Sequence, residues 1–299
     1  MLGRRIRERF YESLLFISAL ISVVAVFMIA LFVFLEGYPI IQKEGLGNFL
    51  LGREWRPLAG IFGIFPMIVG SVVVTLGALV LGVPVSLATA VFLAEFAPKR
   101  ADMVLRPGIE LLAGIPSVIY GLFGMTTVVP AIRFIETHYL AHKLPPQMQS
   151  GYSVLAAAII LAIMISPTII AISEDALRAV PRHLKEASLA LGATHWQTVV
   201  KVLIPTARSG ILASIILGMG RAIGETMAVI MVVGNNVLIP TSIFSPCRTL
   251  TSNIAIEAAY AAEGPHMQAL FATGIVLFVI IIILNLIALR VAGREVMSR

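Results

Sequence analysis

The sequence predicts an all-helical, polytopic membrane protein with six transmembrane helices, and three observations predict it. Of its 299 residues 59% are hydrophobic and only 13% charged, with a mean hydropathy of +0.97. That leaves too little polar surface to coat a soluble globule of this size. Six apolar runs are each long enough, at about 1.5 Å per helical residue, to cross roughly 30 Å of hydrocarbon. Finally, fifteen of the 22 Lys and Arg residues fall in the tails and connections that share one face, six fall on the other, and Arg221 alone lies inside a span.

Taken in order, the basic start MLGRRIRERF leads into a first span at about 13–35. An uncleaved anchor is expected, because the run is longer than the apolar part of a secretory leader and FVFLEGYP follows in place of a small-residue cleavage site. The second span, at 64–94, has an interfacial lead-in from Pro57 and contains Pro84, a residue that kinks helices. After the charged turn Glu95 to Arg106, a third span at about 107–132 carries GIPSVIYG. Gly114 and Pro116 then fall near mid-depth, where a helix breaks only if neighbours re-satisfy its backbone. The polar connection Arg133 to Gly151 leads to a fourth span at 152–172, with Ser166-Pro167-Thr168 as an interruption. A long loop at 173–208 precedes the fifth span at 209–233, and the sixth is at 269–289, so that 1–299 forms a single transmembrane domain. Six crossings put both termini on one face, and the Lys and Arg excess makes that face cytoplasmic. Within the connection Gly234 to Gln268, TLTSNIAIEAAYAAE is rich in helix formers and predicts a short helix, either a lid over a central cavity or a surface helix.

Much chemistry is excluded. No Lys follows a Gly, so the phosphate-cradling loop of a P-loop nucleotide hydrolase is absent. There is no HExxH, the single Cys247 has no pairing partner, and the five His are scattered through connections, so neither catalytic nor metal-binding residues are expected. The net charge of +6 is spread over short loops and forms no stripe for nucleic acid. What remains is Arg221 and Glu225, spaced i,i+4 and bracketed by Gly218, Gly220 and Gly224. Arg221 lies twelve residues beyond Ser209, about 18 Å along a helix axis and close to mid-bilayer. Such a pair is expected either to line an anion passage or to lock the bundle as a structural ion pair. The preceding segment, Glu186 to Pro205, has charged residues and Trp196 around a central Gly192, which predicts a short helix, a turn and a second helix at the membrane surface.

Glu186-Ala187-Ser188, three residues, Gly192, nine residues and then Val202-Leu203-Ile204-Pro205 resembles the EAA loop of the membrane subunits of ATP-binding-cassette importers. Ser188 stands for the second Ala, and Val202 and Ile204 for the usual Ile and Leu, mild changes in size and polarity. The resemblance implies the type I ABC importer permease fold and assigns Glu186, Ala187, Ser188 and Gly192 to a coupling helix that docks on a cytoplasmic ATPase. GRAIGETMAV at Gly220 to Val229, AGIPSVIYGLFG at Ala113 to Gly124 and the opening of the second span are similar to the phosphate-specific permeases, on the PstC side of the PstC and PstA pair. This implies a phosphate route at Arg221 and Glu225 and a PstA-like sister permease. It also implies two copies of an ATP-binding subunit that carry ATP and Mg, with no cofactor on this chain, and an extracytoplasmic phosphate-binding protein. The rivals are a permease for another oxyanion (phosphonate, sulfate or molybdate), since a lone Arg recognises charge more than identity, and an ATPase-independent phosphate symporter, which needs no coupling loop.

Overall fold

Hydrocarbon offers the backbone no partner but itself, so apolar runs of this length close their hydrogen bonds within helices. The computed structural model describes residues 2–142 and 144–296, with the side chains of 2–9, 147, 288, 289 and 291–296 left aside. The basic side chains of the N-terminal cluster, Lys143, Arg294 and Arg299, all counted in the charge asymmetry, lie outside the described residues. In chain order the elements are α1 (Leu2–Glu44), α2 (Leu46–Leu51), a two-stranded antiparallel pair β1 (Trp55–Arg56) and β2 (Ile61–Phe62), and α3 (Phe65–Val91), which a π-turn extends to Phe96. There follow α4 (Lys99–Gly114), α5 (Ser117–Phe123) running through a π-turn into α6 (Val129–Tyr139), α7 (Val154–Arg178) and α8 (Arg182–Ala190). The chain ends with α9 (His195–Thr198) running through another π-turn into α10 (Ile204–Gly224), then α11 (Met227–Val232), α12 (Leu250–Ala258) and α13 (Pro265–Val296). Among the described residues six helices are long and apolar enough to cross a membrane.

The most enclosed of them is α7, and it serves as the strut of the bundle. Gly77 and Gly82 of α3 lie against Ala158 and Ala162, so α3 runs parallel to α7. Gly210 of α10 lies against Ala176, and Gly218 against Ile165 and Ile169, so α10 runs antiparallel to it. At the other end Gly124 meets Ile160 and Val232. By contrast α1 lies at the rim and packs mainly on α13, where Phe32 meets Phe271 edge-on with ring centroids 5.5 Å apart. We call the side bearing both chain ends and α8 the near face, and its opposite the far face.

Several boundaries differ from the hydropathy pattern. The pattern breaks the fourth span at Ser166-Pro167-Thr168, whereas α7 is continuous from Val154 to Arg178 with Pro167 inside it. Close packing on α3 and α10 keeps it helical through the missing N–H, and Ser166 Oγ donates to Ala162 O at 2.6 Å. The third crossing runs beyond Ile132 to Tyr139 and starts as a separate helix, α4. Asp102 pairs with Arg178 at 3.2 Å, Arg106 with Glu174 and Asp175 at 3.3 and 3.5 Å, and Ile109 packs against the cluster of Ala90, Leu93 and Ile170. Those contacts climb α7 from its near end, so the residues read as a charged turn are a helix docked by an inward charged stripe. The fifth crossing begins at His195, well before Ser209, and its helix ends at Gly224, well before Val233.

The far-face connection is no surface loop. A capping box of Thr249 and Ser252 starts α12, whose first turn is buried, with the Leu250 N–H donating to Ser71 Oγ at 2.9 Å. Arg248 anchors the entry, donating to Asn235 O and Asn253 Oδ1 at 3.1 Å each and pairing with Glu257 at 2.8 Å. This re-entrant tip needs Gly70, since a Cβ there runs into the Arg248 carbonyl. Gly70→Val therefore forces α12 outward and destabilises the protein by about 1–3 kcal/mol. The measurement is the thermal unfolding midpoint in detergent, and an unchanged midpoint contradicts the packing. Burial also pushes the Cys247 thiol up to about 12. The raised value keeps the thiol protonated, leaving about one thiolate in 10,000 at pH 8. Cys247 should resist maleimide in the folded protein at pH 8 and label on unfolding.

Candidate functional site

The loop at Glu186 is a helix, a turn and a helix, shaped by local capping. Leu184, Lys185 and Ser188 turn one side of α8 toward the protein, while Glu186 and Ala187 are exposed. After α8, Gly192 takes φ 83°, a left-handed value that only glycine adopts without strain, and its N–H closes on Leu189 O at 3.0 Å. Thr194 and Gln197 then form a capping box that starts α9. Of the four residues assigned to coupling, Glu186, Ala187 and Gly192 are thus presented at the near face. Ser188 faces inward, with its hydroxyl 2.9 Å from that of Thr198.

A second feature went unnoticed in the sequence. Glu95, on the π-turn closing α3, is paired with Lys185 of α8 and lies 3.1 Å from His195 Nε2 at the start of α9. Phe96 stacks on the His195 ring at 4.8 Å. The only signal was a carboxylate ending a long uncharged run, and its partners lie 90 and 100 residues away.

The structure separates Arg221 from Glu225. Their i,i+4 spacing implies an ion pair only on a continuous helix, and α10 stops at Gly224. Glu225 is extended, at φ −71° and ψ 132°. Its Oε1 accepts the Ala228 N–H at 3.0 Å, satisfying one of the orphan donors at the start of α11. From the re-entrant tip, Thr251 Oγ1 donates to Glu225 O at 3.0 Å. Among the described residues no ion pair engages Arg221, which is exposed on the flank of α10. Its place in the last turn is electrostatically favourable, since the helix C-terminus carries partial negative charge.

Depth follows from α7. Arg221 stands three residues, about 4.5 Å, beyond Gly218, which is level with Ile165 and Ile169 near the middle of the strut. The third crossing breaks at a similar depth, where Ile115 and Pro116 are extended and Tyr120 Oη donates to Leu112 O at 2.7 Å across the break. Gly121 of α5 lies against Ala228 and Met231 of α11, so the two broken spans meet beyond their breaks. Among the described residues no group of His, Cys, Asp and Glu is arranged to hold a metal ion.

Residues 82–295 match the family described as binding-protein-dependent transport system inner membrane component. Among curated proteins, the chain is 37% identical to the probable ABC transporter permease protein YqgH of Bacillus subtilis (strain 168), over 93% of this chain and 88% of that protein. It is 34% identical to the phosphate transport system permease protein PstC of Xylella fastidiosa (strain 9a5c), over 98% of this chain and 95% of that protein. Identity to the probable PstC of Methanocaldococcus jannaschii is likewise 34%, over 91% and 90%. Among solved structures, a bacterial ABC transporter for import of the acidic polysaccharide alginate aligns with a TM-score of 0.66 at 15% identity, covering 97% of this chain and 99% of that one. The MetNI methionine transporter in an inward-facing conformation aligns at 0.55 with 20% identity, over 78% and 94%. The fold is therefore that of ABC importer permeases, and the chain belongs to the family of binding-protein-dependent transport system inner membrane components.

Proposed function

We propose that the chain is one half of the membrane channel of an ATP-driven importer of inorganic phosphate, with Arg221 as the fixed charge on the route. The observation that carries the residue assignment is an Arg exposed at mid-depth, beside two helix breaks, with no carboxylate paired to it. The substrate assignment rests on the relatives named PstC, which align over nearly the full chain.

In this reading the near face is cytoplasmic, as the Lys and Arg excess requires, with both termini in the cytoplasm of a prokaryotic cell and the chain in its inner membrane. A PstA-like sister permease completes the channel, and an extracytoplasmic binding protein delivers phosphate at the far face. Two ATP-binding subunits, carrying ATP and Mg, dock on α8 at Glu186, Ala187 and Gly192. Movement of α8 tilts the fifth span directly, because α9 and α10 form one continuous helix from His195 to Gly224. That displaces Arg221 at the far end of the same rod. Arg221 offers the phosphate oxygens charge-assisted hydrogen bonds. Glu225 serves the route by holding the break open, its carboxylate committed to Ala228.

Uptake of labelled phosphate, driven by ATP in vesicles containing the assembled importer, tests both roles. Arg221→Gln should lower uptake efficiency roughly 10- to 100-fold, the worth of a hydrogen bond to a charged group, with Arg221→Lys intermediate. Glu225→Gln keeps an acceptor for the Ala228 N–H and should leave uptake within about threefold of the wild type. Undiminished uptake by Arg221→Gln sinks the assignment of Arg221. Wild-type uptake that sulfate competes away sinks phosphate as the substrate.

A further inference from the structure

The near end of the second span is tied to both halves of the coupling loop through one carboxylate. The Glu95 side chain is only 9% exposed and holds two partners at once, Lys185 of α8 and His195 of α9. The Phe96 ring lies flat on that of His195, 24° from parallel, so the second contact is held by stacking as well as by the polar contact to Glu95. The hydroxyls of Ser188 and Thr198 join α8 to α9 on the third side. Three elements pinned pairwise make a triangle, which cannot shear as a single hinge can. Beneath it, Leu177, Val199, Leu203 and Ala207 pack with Leu87 and Val91, so α3, α7 and the base of the fifth span share an apolar bearing. Solvent screens a nearly enclosed carboxylate weakly, so its hold on Lys185 is stronger than that of a surface pair.

We infer that Glu95 is a positioning residue for transport. It passes the displacement of α8 to the second span as well as the fifth, so that the two spans move as one lever. The backbone alone joins α8 to the fifth span only, through Gly192 and α9; among the described residues the polar links from α8 and α9 to the second span are those made at Glu95, beside the one that Arg178 at the end of α7 makes to Leu93 O. The inference rests on the reading that α8 docks an ATPase. Its consequence is specific: without the carboxylate, ATP hydrolysis continues while its mechanical output reaches only half of the lever.

The test measures ATP hydrolysis and labelled-phosphate uptake side by side in the assembled importer. It compares wild type with Glu95→Gln, Lys185→Glu and the double variant Glu95→Lys with Lys185→Glu. Glu95→Gln should retain hydrolysis while uptake per ATP falls roughly 3- to 30-fold, the range over which residues on a coupling route act. The double variant, which reverses the pair, should recover much of that ratio. Equal losses of hydrolysis and uptake, with the ratio unchanged, overturn the inference, as does a double variant no better than the single ones. Hydrogen exchange on the chain by itself supplies a readout independent of transport. In Glu95→Gln, exchange should quicken at both 92–98 and 182–198, and unchanged exchange at either segment overturns the pin. A wild-type importer that hydrolyses ATP without moving phosphate defeats the phosphate reading alone, and the exchange result then decides the pin.

Discussion

Every backbone N–H and C=O at membrane depth must find a partner in protein or water, and the architecture follows from how two broken spans meet that demand. The third crossing breaks at Ile115–Pro116 and the fifth at Glu225–Thr226. Each break is repaired by side chains, two from the broken spans themselves and one from the re-entrant tip. Tyr120 covers Leu112 O, the Glu225 carboxylate covers Ala228 N–H, and Thr251 covers the Glu225 carbonyl. The last of these explains why the far-face connection turns back into the bundle. Without the tip of α12 the break in the fifth span leaves a carbonyl short of a donor, and without Gly70 the tip has no room. An unbroken α7 between the broken spans supplies the fixed frame against which both are placed.

Rigidity is distributed accordingly. From His195 to Gly224 the fifth span is one rod that begins at the near face beside the coupling loop and ends at Arg221. A displacement at its base is therefore carried along continuous helix, through the π-turn at Val199–Leu203, toward mid-depth, where the helix ends at the Glu225–Thr226 break. Beyond that break, α11 is packed on α5 through Gly121 and capped against the start of α7, where Ser153 N–H donates to Val232 O at 3.2 Å. The helix end at Gly224 and the far-face cap are thus packed separately, with the Glu225–Thr226 break between them, one turn beyond Arg221.

The six crossings and the turn at Gly192 were legible because they depend on local properties, namely apolar length and a glycine between two capped helices. What was illegible depends on distant partners. Arg106 and Asp102 read as a surface turn until Glu174, Asp175 and Arg178 are set beside them. Glu95 carries no message without Lys185 and His195. The error over Arg221 and Glu225 is of another kind. Their spacing implies a pair only on a continuous helix, yet Gly224 is a poor helix former and the Thr226 side chain serves caps and turns; that signal for a break was present in the sequence but offset by Glu225, which favours helix.

Separating the pair changes the physical argument for a route. A paired Arg at mid-depth can be neutral in effect and purely structural, but a lone one cannot face lipid cheaply. Insertion of an Arg at a helix centre is unfavourable by about 2.5–3.5 kcal/mol on the mildest scale. The C-terminal end of α10 offsets roughly 0.3–1 kcal/mol of that, and up to about 2 in a partly buried setting. A deficit remains, and among the described residues no carboxylate covers it. On the proposed phosphate route water or an anion makes up the difference, with the exposed flank of α10 bordering a wet passage and not the hydrocarbon. On that route the same deficit would favour an anion, which relieves it, over a cation, which deepens it. A carboxylate paired to Arg221 would have cancelled that preference, so committing Glu225 to Ala228 both holds the break and leaves the charge free to act.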